Sequence, residues 1–362
     1  MQSKERNSNI DFFKFLYSLV IVSFHFKSPN GTHFIGGNTA VEFFLIVSGF
    51  LLFEAWERSE KNLTPQQYFV KRFKRFFPYA FTGAVFAFIV LRGFRGQIHS
   101  VADVAEHFSS DIWEIFLIKM NGMNNNASML NSPAWTISAM LIVGFFFWCL
   151  LYFRESEFLN AVLPASLLLI LGAIPHIENK HYGAWMGLTN FGILRTWLVM
   201  GAAYYSLQFC KILRQRLNKK GRICMTVLEV ACHVFALVVM FKSTSYEYRH
   251  CVTLAFMVST AIAFSGQSYL TTLANKLNIY IYIFRKRLFD FLGEFNMSIY
   301  LTHYTVIKYL MYYYGTPGYF YHKKLFVLIS LMSAVLHYVF TKKLLKTSRH
   351  IYGKILQGIT RE

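Results

Sequence analysis

Charged residues are scarce in this sequence. They account for 15% of its 362 residues, whereas a soluble domain usually carries about a quarter. Hydrophobic residues make up 55% of the chain and aromatic residues 18%. This balance excludes an ordinary soluble globular protein and predicts a chain that crosses a membrane several times.

Cysteine and acidic residues are also few. The five cysteines form no C-x-x-C pair, which excludes a disulfide framework and a cysteine-ligated zinc site, and we expect no metal. Asp and Glu number 18 against 37 Lys and Arg, for a formal charge of +19. Such an excess can indicate nucleic-acid binding. Here the basic residues cluster between apolar runs, so we expect no nucleic-acid partner.

Ten apolar runs are each close to the ~20 residues that a helix needs to cross a bilayer. We therefore predict an all-α, polytopic membrane bundle of about ten transmembrane helices, forming a single domain over residues 1–362. The first run resembles a signal peptide, but no small-residue cleavage site follows it, so we expect it to be retained. The predicted spans lie near 10–27, 38–56, 77–91, 134–153, 158–175, 193–209, 224–241, 250–266, 296–314 and 324–341.

Basic residues are divided unevenly between the two sides of this bundle. With a cytosolic N-terminus, the inner segments hold 25 Lys and Arg, and the outer loops with their edges hold nine. Because basic loops stay on the cytosolic side, both termini are predicted to be cytosolic, in a multi-pass protein of the cell (inner or cytoplasmic) membrane. The inner stretch LNIYIYIFRKRLFDF (277–291) is expected to form an interfacial helix.

The first span carries two ionisable side chains on one face. Lys14 and His25 are eleven residues apart, close to three turns, which separates them by about 16 Å along the axis. Ionisable groups inside a membrane are costly and tend to mark pathways or reaction sites. An imidazole can also accept and return a proton near neutral pH. The alternative is a histidine that only hydrogen-bonds between helices.

The second span, VEFFLIVSGFLL, places Glu42 in the same outer half as His25 because a short turn joins the two spans. A carboxylate within reach of an imidazole fixes its tautomer and raises its basicity. The alternative is that Glu42 only extends to the membrane surface. At mid-depth, Ser48 and Gly49 predict a close helix contact, since small residues let two backbones approach.

A basic cluster, KRFKRFFP, precedes the third span on the cytosolic side. Arg72 and Arg75 are three residues apart, so both guanidinium groups share one helix face. That arrangement suits a pyrophosphate or a phosphomonoester. Taken alone, the cluster is more often an anchor that sets topology.

Four motifs follow one another along the chain: the basic-x10-His spacing of Lys14 and His25, EFFLIVSGFLL, KRFKRFFP and FLGEFNMSIYLTH. Together they cover about residues 9 to 305. In this order they resemble the acyltransferase-3 family of integral membrane acyltransferases, which includes O-acetylases of O-antigen and other surface glycans. A weaker similarity is LRTWLVMG, where Arg195 precedes a glycine-containing helix.

The resemblance implies roles for individual residues. His25 and Glu42 are the expected catalytic pair, and His25 is either the general base or the carrier of the acyl group. Lys14, Arg72 and Arg75 are expected to hold the phosphates of coenzyme A. For Tyr300 and His303, hydrogen bonding between helices is an equal alternative. The candidate pathway residues are Ser48, Trp135, Ser138, Arg195, Ser298, Tyr300 and His303.

The fourth span departs from the family pattern. Family members often show W-S-L-S-x-E there, and AWTISAM keeps Trp135, Thr136 and Ser138 but has Met140 in place of the acid. Because no carboxylate is available at this position, the expectation shifts to Glu42. We also expect no C-terminal SGNH hydrolase-like domain of the kind that some relatives carry.

The resemblance therefore implies a membrane-bound O-acyltransferase, with acetyl as the favoured group. It would move that group from cytosolic acyl-CoA (acetyl-CoA) to a hydroxyl of a cell-surface or lipid-linked glycan. The expected partners are acyl-CoA, a glycan or lipid-linked saccharide acceptor and the membrane, with no oligomeric state indicated. Two other classes stay open: a transporter or flippase for a glycan intermediate, which would not need CoA, and a glycan polymerase or ligase.

Overall fold

The described part of the chain is almost entirely helical, which confirms the predicted all-α bundle. This computed structural model describes residues 6–28, 31–32, 34–58, 60–94, 96, 98–117, 130–173, 184–185, 189–215, 217–242, 246–283, 286–318 and 322–359. Within these ranges the helices are α1 (Ser8–His25), α2 (Val41–Glu57), α3 (Pro65–Phe88), α4 (Val101–Ile115), α5 (Trp135–Glu157), α6 (Leu163–Ala173), α7 (Phe191–Leu213), α8 (Lys219–Lys242), α9 (Tyr246–Ser265), α10 (Tyr269–Tyr280), α11 (Leu288–Gly318) and α12 (Lys323–Ile359).

Within the described ranges, strands occur as three antiparallel pairs, with two residues in each strand. They pair β1 (Lys27–Ser28) with β2 (Gly31–Thr32), β3 (Ala184–Trp185) with β4 (Thr189–Asn190), and β5 (Tyr282–Ile283) with β6 (Lys286–Arg287).

Each of the ten predicted spans falls on a helix: in order, α1, α2, α3, α5, α6, α7, α8, α9, α11 and α12. By length and composition, five helical segments in the described ranges can cross a membrane, or six if the bent α9–α10 pair is one broken span. The chain is therefore a multi-pass membrane protein, and the number ten stays a prediction.

The third helix begins well before its predicted span. Thr64 caps it, accepting a hydrogen bond from the Gln67 backbone N–H at 3.3 Å, while the Gln67 side chain accepts one from the Thr64 N–H at 3.0 Å. This reciprocal capping box, with Pro65 as the first helical residue, fixes the start of α3. Arg72 and Arg75 consequently lie inside α3, on its second and third turns, rather than in front of it.

One local prediction was wrong. The stretch 277–291 is not a continuous interfacial helix: α10 ends at Tyr280, the β5–β6 hairpin follows, and α11 begins at Leu288. The alternation of Ile and Tyr in NIYIYI favours extended backbone, because β-branched and aromatic side chains fit a strand better than a helix. Two further helices, α4 and α10, were not predicted.

Close packing organises the bundle around two groups of helices. α1 packs chiefly on α11, which also contacts α3 and α12, while α2 packs on α7, which also contacts α5 and α9. At the α2–α7 crossing, a β carbon added to Gly49 would overlap the carbonyl oxygen of Met200. The predicted close contact at Gly49 is therefore confirmed.

The orientation of the bundle gives a direct test. Reporter fusions at Asn62 and Asn218 should read as cytosolic and one at Asn125 as extra-cytosolic. The reason is that the basic residues concentrate in the segments that contain Asn62 and Asn218, and basic segments stay in the cytosol. Asn62 and Asn218 lie on exposed connections, and Asn125 lies outside the described residues. A cytosolic signal at Asn125 would overturn both the orientation and the assignment of the sites below.

Candidate active site

A basic cavity opens between α2 and α3 at the end of the bundle where α1 and α3 begin. Its volume is about 360 Å³. Arg72 and Arg75, predicted to bind phosphate, both line it. The described residues that line this basic cavity are Leu51, Glu54, Ala55, Arg58, Tyr68, Lys71, Arg72 and Arg75.

A second cavity, of about 210 Å³, shares Leu51 and Arg75 with the basic cavity and extends towards the start of α1. Lys14 and Asp11 line it, so the structure brings the predicted Lys14 to the same region as Arg72 and Arg75. Lys14 Nζ lies 3.3 Å from Asp11 Oδ1. The two connected cavities therefore present more cations than carboxylates.

Arg72 is held in place by its neighbours. Its Nε donates to the Tyr68 hydroxyl at 3.0 Å, and its Nη2 donates to the Ser48 carbonyl at 3.4 Å. Tyr68 in turn stacks on Trp148 with ring centroids 4.0 Å apart. A guanidinium fixed on an aromatic support loses less conformational entropy when it binds an anion.

An ion-pair network fastens α11 beside the second cavity. Glu294, which precedes the predicted span 296–314, pairs with Lys286 at 2.5 Å, Lys342 at 2.7 Å and Arg6 at 3.4 Å. Burial raises the pKa of Glu294, but the hydrogen bonds from Lys286 and Lys342 together have the larger, opposite effect, so the pKa falls to about 2. Glu294 therefore stays ionised at physiological pH and ties the starts of α1 and α11 to α12.

At the opposite end of α1, His25 lies half-buried against α11. Its ring centroid is 5.3 Å from that of His303 and 5.3 Å from that of Tyr304. Lys14 and His25 are thus at the two ends of one helix face, as predicted. The structure brings His25 and His303 together although 278 positions separate them in the sequence.

The remaining late-motif residues are engaged between helices. Tyr300 donates to the Pro133 carbonyl at 2.8 Å and is 2.9 Å from the Thr136 hydroxyl, so it joins α11 to the start of α5. Ser298 is 3.0 Å from Nδ1 of His337 on α12. These contacts favour the interhelical alternative for Tyr300, and they show that Ser298 also contacts a neighbouring helix.

Glu42 has a partner other than the predicted one. Arg195 on α7 donates to both its carboxylate oxygens, at 3.0 Å and 2.5 Å, and Arg249 Nε lies 3.9 Å from it. Both Glu42 and Arg195 are at most 2% exposed. The carboxylate is therefore committed to a buried ion pair, and the expected Glu42–His25 pairing is not among the hydrogen bonds of the described residues.

The fourth-span residues divide between the two ends of the site. The guanidinium carbon of Arg195 lies over the Trp135 ring, 5.7 Å from the ring centroid. Ser138 is buried. Met140, at the position of the family's usual acid, lines a small cavity with Ser48 and Arg72. A carboxylate at position 140 would therefore have faced the same small cavity as Arg72.

The sequence reading missed several buried polar residues. His337, His233 and Glu229 are each less than 6% exposed, and His233 Nδ1 is 2.8 Å from the Tyr17 hydroxyl. Their one visible signal is one or two ionisable residues within a long apolar run, which by itself does not distinguish a structural role from a catalytic one.

A family model described as an acyltransferase domain matches residues 7–341, nearly the whole chain. The chain belongs to this acyltransferase family. Searches of curated proteins and of solved structures find no match. Membership of the acyltransferase family confirms the resemblance. It favours an acyl-transferring enzyme over a transporter or flippase and over a glycan polymerase or ligase.

Proposed function

We propose that this acyltransferase is an O-acetyltransferase, taking acetyl from acetyl-CoA in the cytosol and delivering it to a hydroxyl of a cell-surface or lipid-linked glycan. The observation that carries the proposal is the layout of α1. On one face of this helix, Lys14 lines the second cavity, next to the basic cavity, and His25 lies about 16 Å further along the helix axis.

The end of α1 near Lys14 and the two cavities is suited to binding the acyl donor. Coenzyme A carries a pyrophosphate and a 3′-phosphate, and its thioester is at the far end of a flexible arm. Arginine pairs bind such groups through charge-assisted, often bidentate hydrogen bonds. With the phosphates held by Arg72, Arg75 and Lys14, the arm would run along α1 and bring the thioester towards His25.

The histidine end suits the transfer. As general base, His25 takes the proton of the acceptor hydroxyl while its oxygen bonds to the acetyl carbon. The carbon–sulfur bond then breaks, and the proton passes from the imidazole to the departing thiolate. As acyl carrier, a nitrogen of His25 attacks the thioester carbon and the thiolate of coenzyme A leaves. The acceptor hydroxyl then displaces the imidazole from the acetyl carbon, and the hydroxyl proton passes to the thiolate. General-base help of this kind contributes about 10² to 10⁴-fold.

The donor site can be tested by measuring acetyl-CoA affinity. Arg72→Ala and Arg75→Ala should each weaken binding by about 1.5–3 kcal/mol, which is roughly tenfold to a hundredfold, because each removes a charge-assisted hydrogen bond. Isothermal titration with purified protein in nanodiscs gives the dissociation constants. Added salt should weaken wild-type binding more than it weakens binding by the variants.

Lys74→Ala is the matched control. Lys74 is on the same helix with the same charge, and it does not line either cavity. Its affinity for acetyl-CoA should stay within twofold of wild type. If all three variants bind alike, the cluster is a topology anchor and the donor proposal fails.

A further inference from the structure

Three histidines in the described part of the chain, His233, His303 and His337, are almost completely buried. His337 and His303 differ in how many of their ring nitrogens have a hydrogen-bond partner. His337 uses both, with Nδ1 3.0 Å from Ser298 Oγ and Nε2 2.9 Å from Thr82 Oγ1. His303 uses only Nδ1, which is 3.1 Å from the Ile299 carbonyl oxygen. Its Nε2 is buried and has no hydrogen-bond partner among the described residues.

The contact with Ile299 fixes the state of the His303 ring. A carbonyl oxygen can only accept, so Nδ1 carries the hydrogen and donates it. A neutral imidazole then presents Nε2 as an unprotonated acceptor. Burying an acceptor without a partner costs free energy, which makes an unsatisfied atom of this kind a candidate for function.

On α1, the ring of His25 contacts the ring of His303, with centroids 5.3 Å apart and planes inclined by 38°. The carboxylate expected to assist His25, Glu42, is bound by Arg195 instead.

We propose that His303 is a positioning residue for His25. In the loaded enzyme, one nitrogen of His25 donates its hydrogen to Nε2 of His303, and the other nitrogen therefore presents its lone pair to the reacting group. This inference rests on the proposed function. It assigns to a neutral imidazole the orienting task that a carboxylate performs in Ser-His-Asp enzymes.

The proton balance of the step is simple. The acceptor O–H proton moves to the unprotonated nitrogen of His25 as the new oxygen–carbon bond forms and the carbon–sulfur bond breaks. It then moves to the thiolate of coenzyme A, so both histidines end neutral. While His25 is charged, its hydrogen bond to His303 is charge-assisted and hence stronger, which stabilises that state. The same contact would orient His25 as an acyl carrier.

Two amide substitutions separate this role from a structural one. His303→Asn retains a donor close to Nδ1 and removes the distal acceptor, whereas His303→Gln can place its carboxamide oxygen near the position of Nε2. We expect His303→Asn to lower kcat by about 10²-fold or more, with KM for acetyl-CoA within twofold of wild type. His303→Gln should be at least tenfold faster than His303→Asn.

If His303 only holds the Ile299 carbonyl, the order of the two variants is reversed or their rates are equal, and the inference is overturned. His337→Gln is the control: it should lower the melting temperature but leave kcat per folded molecule within twofold. In a His25→Ala background, His303→Asn should lower the residual rate by less than twofold, because His303 acts through His25.

The wild-type assay separates this inference from the proposed function. Absence of acetyl transfer by the wild-type protein to any hydroxyl acceptor tested would remove the proposed function and the inference together. Transfer by wild type that is unchanged in both His303 variants would remove the inference alone.

Discussion

His25→Ala should lower the rate of acetyl transfer by at least about 10²-fold, because in the proposed reaction the His25 imidazole accepts the proton or the acyl group. Acetyl-CoA affinity should remain within twofold of wild type, since the donor phosphates would bind about 16 Å away. Transfer is measured with labelled acetyl-CoA and membrane-extracted glycan acceptor, and affinity by titration.

His99→Ala is the control for this experiment. His99 is an exposed histidine ahead of α4, with its backbone N–H bound to Asp103. Its substitution should change neither transfer nor donor affinity. A His25→Ala protein that keeps a tenth of wild-type turnover would rule out His25 as base and as acyl carrier.

Glu42→Gln should lower the free energy of unfolding by about 3–5 kcal/mol, because it leaves the Arg195 guanidinium buried without its counter-charge. The measurement is reversible chemical denaturation in detergent micelles. The double variant Glu42→Leu with Arg195→Met should cost less than the sum of the two single changes, since it removes both charges together.

Glu157→Gln provides the comparison. Glu157 pairs with Arg154 at 3.3 Å, and both side chains are more than half exposed. Exposed pairs contribute little to stability, so this variant should unfold as wild type does. An equally small effect of Glu42→Gln would contradict the assignment of Glu42 to a buried ion pair.

Hydropathy was sufficient to locate the membrane helices, because each long apolar run must satisfy its backbone groups as a helix. Helical spacing was sufficient to place Lys14 and His25 on one face of α1, and Arg72 with Arg75 on one face of α3. These predictions depend on neighbours within one helix, where geometry follows directly from the number of intervening residues.

Partners from different helices could not be predicted in the same way. Glu42 and Arg195 are 153 positions apart, and nothing in either local stretch indicates the other. The sequence placed His25 in the same outer half of the bundle as Glu42, whereas helix packing supplied a guanidinium from α7. Similarly, His303 became informative only when its two nitrogens could be compared with those of His337.

The basic cavity has a consequence for product inhibition. Its cations would contact the phosphate end of the coenzyme, which is identical before and after the acetyl group leaves. Binding energy of this kind is uniform along the reaction and does not favour substrate over product. Free coenzyme A should therefore compete with acetyl-CoA at nearly equal affinity, and surface acetylation would follow the cytosolic ratio of acetyl-CoA to free coenzyme A more closely than the amount of either.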